Sequence, residues 1–336
     1  AYDRRHGYRG VIRHVEIYED EPAEEHYLHL KDDRDYGKFK PALVTSIEMV
    51  KVPVSPPADD EKQAGASAKT EAEQAVTSEQ HVNIVFKDGD KAVIKLAGLK
   101  WAKPYVSVNR VGNEPKTAED VLKPGDVIWA IQNAQGLWEL GQVPEIQGAL
   151  VALSPNDGAI RALTGGFHFP HSKFNRAVQA KRQAGSGFKP YIYSSALAKS
   201  FTPATLVNDA PVVFEDDALE ASWRPENYSG RFFGPTRFRK ALYKSRNLVS
   251  IRVLNSVGIR HATRFITRFG FEEDQVPRDL SLALGSADVS PLQQARGYAV
   301  FANGGYLVDP YVIQRIEDAD GCLLYTSPSP RDNDWY

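Results

Sequence analysis

A serine and a lysine stand three residues apart in the stretch Arg182-Gln183-Ala184-Gly185-Ser186-Gly187-Phe188-Lys189-Pro190. Their chemistry is acyl transfer. A serine hydroxyl is a weak nucleophile at neutral pH and needs a base within hydrogen-bond reach. Lysine serves as that base only where burial or neighbouring cations bring its pKa from about 10.4 towards roughly 7–8. On a helix, positions i and i+3 share a face, so the spacing predicts contact between the Ser186 hydroxyl and the Lys189 amine. Pro190 is tolerated only in a first helical turn. The helix therefore starts close to Ser186, where N–H groups are unpaired and the dipole is positive.

Alone the pattern is weak, because a chain of 336 residues with ordinary composition contains about one Ser-x-x-Lys by chance. Two Ser-x-Asn triplets accompany it, Ser107-Val108-Asn109 and Ser245-Arg246-Asn247. Each read alone is a surface turn. The second follows Ser186 by about sixty residues within the same expected domain, between helical stretches. Its hydroxyl and carboxamide can face the Ser186–Lys189 pair, relay a proton and grip a substrate amide. Other chemistries fit poorly. Ser186 lacks the Gly-x-Ser-x-Gly of a nucleophile elbow, and the lysine precedes a proline, unlike a phosphate loop. His168 and His171 have no clustered partners in sequence, so no metal or other cofactor is expected.

The elements that must position these residues fall into two parts. Residues 1–39 are charged and rich in Tyr and His, and read as a connector. Residues 40–145 carry strand signals at 43–50, 82–86, 91–96 and 127–131, with a hairpin across Lys87-Asp88-Gly89-Asp90. Such a run of short strands predicts a small barrel or sandwich, of OB-like kind. Residues 55–80, made largely of Ala, Glu, Lys, Gln and Ser, read as a disordered or loosely helical insertion. From 146 a hairpin at 149–163 precedes the Ser186 helix. Helical periodicity then covers 239–258 and 261–269, each closed by glycine, and 290–303, opened by Ser290 and Pro291. A strand is expected at 311–316. Strands around a helical middle describe an α/β or α+β domain.

Composition limits the function. Net charge is −2, which gives no case for nucleic acid or anionic membrane as an obligatory partner. The single cysteine, Cys322, forms no intrachain disulfide. The chain starts Ala1-Tyr2-Asp3 and its one methionine is Met49, so it reads as a piece of a longer protein.

Taken together, these motifs resemble the class A, bifunctional penicillin-binding proteins, and the resemblance runs along almost the whole chain. Tyr2-Asp3-Arg4-Arg5-His6-Gly7-Tyr8-Arg9-Gly10 is similar to that family's connector after a glycosyltransferase domain, here missing. Residues near 40–145 are similar to its OB-like domain. The Ser186 stretch, Arg224-Pro225-Glu226-Asn227-Tyr228, Ser245-Arg246-Asn247 and Phe301-Ala302-Asn303-Gly304-Gly305 resemble transpeptidase motifs. The resemblance implies a DD-transpeptidase at the periplasmic face of the bacterial inner membrane, anchored outside this segment. Its substrate would be a peptidoglycan stem pentapeptide, and β-lactams would acylate Ser186 as mimics. Lys189 would be the base, Ser245 the proton shuttle and Asn247 the substrate-binding residue. The OB-like part would be a contact for cell-wall synthesis regulators.

One departure stands out. The family's Lys-Thr/Ser-Gly strand does not occur; Lys116-Thr117-Ala118 lacks the glycine and lies in the barrel part. The transpeptidase domain, 146–321, therefore reads as truncated and this polypeptide as inactive. Residues 322–336 resemble translated adapter sequence and are set aside as a non-native tail. Two rival readings remain. A serine β-lactamase-like hydrolase needs a deacylating glutamate, and no Glu-x-x-Leu-Asn is found. A non-catalytic binding module would use the barrel and leave the Ser186 domain a scaffold.

Overall fold

The computed structural model describes residues 5–18, 21–53, 76–213 and 223–327. The chain divides into two compact units, Ala1–Gln147 and Gly148–Tyr336. In the first, strands β1 (Arg13–His14), β2 (Lys40–Pro53), β3 (Val76–Phe86), β4 (Lys91–Lys95), β7 (Asp126–Gln132) and β8 (Trp138–Gly141) form one sheet; β5 (Tyr105–Ser107) and β6 (Arg110–Val111) make a separate hairpin. The sheet order is β1-β7-β2-β3-β4-β8, and β8 also pairs with β7, so the sheet closes into a barrel. Period-two alternation fills it: Ala42 and Val44 of β2, Val82 and Ile84 of β3 and Ile128 of β7 are buried in one cluster. Leu43, Val85 and Val127 point to the other face, where Leu30 and Tyr27 cover them.

Two expectations need correction here. Residues 1–39 are more than a connector. They supply β1 at the sheet edge and a 3-10 turn, His26–Leu30, whose Leu30 is fully buried. The polar insertion also ends earlier than residue 80. Val76 to Gln80 continue β3 and pair with Met49 to Pro53. Ladder hydrogen bonds are made by the main chain, so a polar stretch extends a long hairpin without an apolar signal. Residues 55–75 lie outside the described residues. Ser107-Val108-Asn109 sits at the β5–β6 hairpin of this first unit.

The second unit opens with the expected hairpin, β9 (Leu150–Leu153) and β10 (Ile160–Thr164). Then follow β11 (Arg182–Gln183), helix α1 (Lys189–Leu197), β12 (Leu206–Asp209), β13 (Gly234–Arg237), α2 (Phe238–Tyr243), α3 (Asn247–Val257) and α4 (Ile259–Ile266). The unit continues through β14 (Asp288–Val289), α5 (Pro291–Ala302), β15 (Arg315–Glu317) and β16 (Leu323–Thr326). Helix α1 is the core element. Lys189, Tyr191, Ile192, Tyr193, Ser195 and Ala196 are all buried, so it has no solvent stripe. The Tyr191 ring packs on Phe269, Phe271, Tyr298 and Phe301 at centroid distances of 4.9–5.7 Å.

The periodic stretch 239–258 is two helices and not one. Lys244, Ser245 and Arg246 interrupt it between α2 and α3. The expected strand at 311–316 reduces to a bridge at Tyr311 and β15. Part of the tail set aside in sequence, Leu323–Thr326, is β16 and pairs with β15. The Asp318–Gly321 turn closes that hairpin locally, and its strand residues are all exposed.

Candidate active site

Ser186 lies in a 3-10 turn, Gly185–Phe188, that runs directly into α1. Pro190 falls in the first turn of α1, as its missing N–H requires. The turn is clamped from both sides. Ala184 N–H donates to Ala287 O and Gly185 N–H to Gly285 O, each at 3.0 Å. From α5, the Gln294 amide and the Tyr298 hydroxyl both donate to Gly187 O at 2.9 Å. Gly285 has φ +79°, and a Cβ there would stand 1.8 Å from Gly185 O, so glycine is required twice over. Ser186 itself is exposed, and the N–H groups opening its turn lack acceptors within the helix.

Ser245 arrives by a different device. At the end of α2, Arg246 N–H reaches back to Ala241 O and Ser245 N–H to Leu242 O, both at 2.9 Å. This is a Schellman ending, and its left-handed position usually carries glycine. Here it carries Ser245, with φ +51°, the sole non-glycine residue at positive φ among the described residues. A side chain in that conformation costs about 1–2 kcal/mol. In return the hydroxyl is delivered to the Ser186 turn. Arg246 is extended and Asn247 begins α3.

The side chains meet in a chain of hydrogen bonds. Lys189 Nζ donates to Ser245 O and Ser245 Oγ, both at 2.9 Å, and to Asn247 Oδ1 at 2.7 Å. Ser245 Oγ donates to Ser186 Oγ at 2.9 Å. The expected direct contact of Ser186 with Lys189 is absent among the described residues. All three ammonium protons are spent on the Ser245–Asn247 segment, so Ser186 reaches the lysine only through Ser245. Lys189 is 1% exposed. Burial favours the neutral amine and lowers its pKa from 10.5 to about 8. Once Lys189 is neutral, Ser245 can pass it a proton and take the one on Ser186, since hydroxyl hydrogens rotate freely between these partners.

Asn247 is held at several atoms. Its N–H donates to Asn227 Oδ1 and its Nδ2 to Glu226 O, both at 2.9 Å. Sequence reasoning quoted Asn227 within a motif and assigned it no role. His168 and His171 lie apart from these groups in the chain, and no cluster of metal-ligating side chains occurs among the described residues.

A family model for the penicillin-binding protein transpeptidase domain matches residues 148–334, more than half of the chain. The chain belongs to the penicillin-binding protein family. A second family model, the penicillin-binding protein OB-like domain, matches residues 55–146. Penicillin-binding protein 1A of Pseudomonas aeruginosa is 44% identical over 98% of this chain and 36% of its own length. Penicillin-binding protein 1A of Escherichia coli is 37% identical over 96% of this chain and 35% of its own. A crystal structure of penicillin-binding protein 1A from Haemophilus influenzae matches with a TM-score of 0.72 and 34% identity, covering 98% of this chain and 42% of that one. The chain thus spans about a third of the length of the curated relatives it matches. Its architecture is that of a penicillin-binding protein OB-like barrel followed by an α/β transpeptidase domain.

Proposed function

We propose that this chain is the penicillin-reactive part of a serine DD-transpeptidase that cross-links peptidoglycan stem peptides. The relay from buried Lys189 through Ser245 to Ser186 carries this reading. Neutral Lys189 accepts a proton by way of Ser245, and Ser186 Oγ attacks the carbonyl of the penultimate D-alanine. The developing oxyanion is met by the Ser186 N–H at the positive start of the turn. Collapse breaks the peptide bond, and the proton held on Lys189 returns through Ser245 to the departing D-alanine amine. An amine from a second stem then attacks the acyl carbonyl and regenerates Ser186. Asn247 holds Lys189 by Oδ1, and on this reading the second proton of its Nδ2 goes to the carbonyl of the donor amide. A β-lactam acylates Ser186 by the first half of this sequence and is retained.

The Lys-Thr/Ser-Gly triplet that supplies a second oxyanion donor in this family does not occur in the 336 residues. Loss of one such donor typically lowers rate by about 10²–10³. On this reading the chain as given turns over poorly, while the longer protein is the enzyme. It works at the periplasmic face of the inner membrane, and no helix among the described residues is long and apolar enough to cross a membrane. The OB-like barrel is the proposed contact for cell-wall synthesis regulators.

Turnover of a D-Ala-D-Ala-type thioester tests this. A full-length version is expected to release thiol continuously, and this chain at least about 10²-fold more slowly. A full-length version without turnover sinks the transpeptidase reading. Equal rates from the two sink the incomplete pocket.

A further inference from the structure

The Ser245–Asn247 segment is anchored by a buried carboxylate that sequence reasoning did not single out. Asp209, the last residue of β12, is fully buried. Its Oδ1 accepts from Asn227 Nδ2 at 2.7 Å, and the same amide nitrogen donates to Arg231 O at 3.0 Å. Both acceptors are unable to donate, so they fix which way the Asn227 carboxamide points. Its oxygen is left facing α3, where it takes the Asn247 N–H at 2.9 Å and caps the helix. Glu226 O, the adjacent main-chain oxygen, takes Asn247 Nδ2. With its amide nitrogen so placed, Asn247 must offer Oδ1 to Lys189.

The other oxygen of Asp209 is buried without a hydrogen-bond partner and lies 3.8 Å from Arg246 Nε, which is likewise buried and unbonded. The Arg246 guanidinium lies over the Phe233 ring, 3.3 Å from its centroid. The middle residue of Ser-Arg-Asn is therefore the cation that faces the buried carboxylate. A lone buried charge is costly, and this pairing offsets it.

We infer that Asp209 and Asn227, with Arg246 as counter-charge, are positioning residues that hold Ser245 and Asn247 in register around Lys189. They touch neither substrate nor the reacting atoms. Their effect on rate comes through the placement of the lysine's acceptors, where a displacement of about 1 Å can cost on the order of 10²-fold. The inference rests on the transpeptidase reading of Ser186.

Acylation by a fluorescent penicillin, followed in time on a full-length version, tests it. The amplitude reports folded sites and the rate constant reports their geometry. In Asp209→Asn the new amide competes with Asn227 for the same donor position; the rate constant is expected to fall at least about tenfold, with amplitude retained. Asn227→Asp sets two carboxylates side by side and is expected to be slower still. Exchanging the pair, Asp209→Asn with Asn227→Asp, restores one donor against one acceptor at that contact but leaves Arg231 O facing a carboxylate oxygen, so it should recover part of the rate lost in Asn227→Asp alone. Unchanged rate constants with reduced amplitude would make the residues merely structural and overturn the inference. Should Asp209→Asn fail to fold, the exchange variant decides: acylation faster than in Asn227→Asp alone supports the inference, and a rate constant no higher than that of Asn227→Asp overturns it. An unlabelled wild type would instead refute the Ser186 assignment.

Discussion

At the scale of single residues, Ser245 and Lys189 hold opposed demands of stability and chemistry. Ser245 occupies a backbone position suited to glycine so that its hydroxyl can bridge Lys189 and Ser186. Ser245→Gly relieves about 1–2 kcal/mol of left-handed strain. It also strips one acceptor from the buried Lys189 ammonium, a cost of about 1–3 kcal/mol. Stability is therefore expected to change by no more than about 1 kcal/mol. The same change removes the proton relay and should lower penicillin acylation by about 10²–10⁴-fold. Thermal melts and acylation rates on the same preparation check both halves. On the proposed mechanism Lys189 acts only when neutral, so acylation is expected to rise with pH through about 8 and level off above it. Stability should move in the same direction. With a folded pKa near 8 and an ordinary value of 10.5, the unfolded chain binds more protons between those limits. Folding is thus favoured progressively as pH rises from about 8 to 10.5, and denaturant melts across that window measure it. The Ser186–Lys189 spacing of three residues was legible in sequence, but the direct contact it suggested is not made among the described residues. Ser245 was legible as a relay from its Ser-x-Asn triplet, but its place between Lys189 and Ser186 was not, because a left-handed serine leaves no glycine to mark the turn.

At the scale of elements, the Ser186 turn depends on neighbours remote in sequence. Gly285→Ala places a methyl into Gly185 O and forces strain at φ +79°. It is expected to destabilise by about 1–3 kcal/mol and, because the turn must shift, to slow acylation of the protein that remains folded. Ser290 gives the contrasting case. It caps α5 in a box with Gln293, and Ser290→Ala should cost about 1 kcal/mol while leaving the acylation rate unchanged. Melts paired with acylation kinetics separate the two. The cap at Ser290 and Pro291 was readable because helix starts have local chemistry. The clamp from Gly285 and Gln294 is tertiary, and nothing near Ser186 announces it. Asp209 was missed for the same reason, since its partners lie 18 and 37 positions away, at Asn227 and Arg246. The polar half of β3 stayed hidden because main-chain pairing needs no apolar period.

At the scale of the whole molecule, each unit has its own buried cluster, Val44, Ile84 and Ile128 among others in the barrel and Tyr191, Ile251 and Leu282 among others in the second. Residues 1–147 expressed alone are expected to unfold cooperatively on heating, as an independent core permits. A broad, featureless melt would contradict that. The order of barrel and α/β domain was legible from strand spacing and periodicity, whereas the packing of residues 1–39 onto the barrel was not, their buried Tyr8, Leu30 and Tyr36 being too widely spaced to show a face. The central claim is that Ser186 is the nucleophile of a penicillin-reactive site. Mass spectrometry of a penicillin-treated full-length version tests it most directly. The account predicts one covalent adduct on the peptide carrying Ser186, lost in Ser186→Ala. An adduct on another residue, or one that survives the substitution, would contradict it.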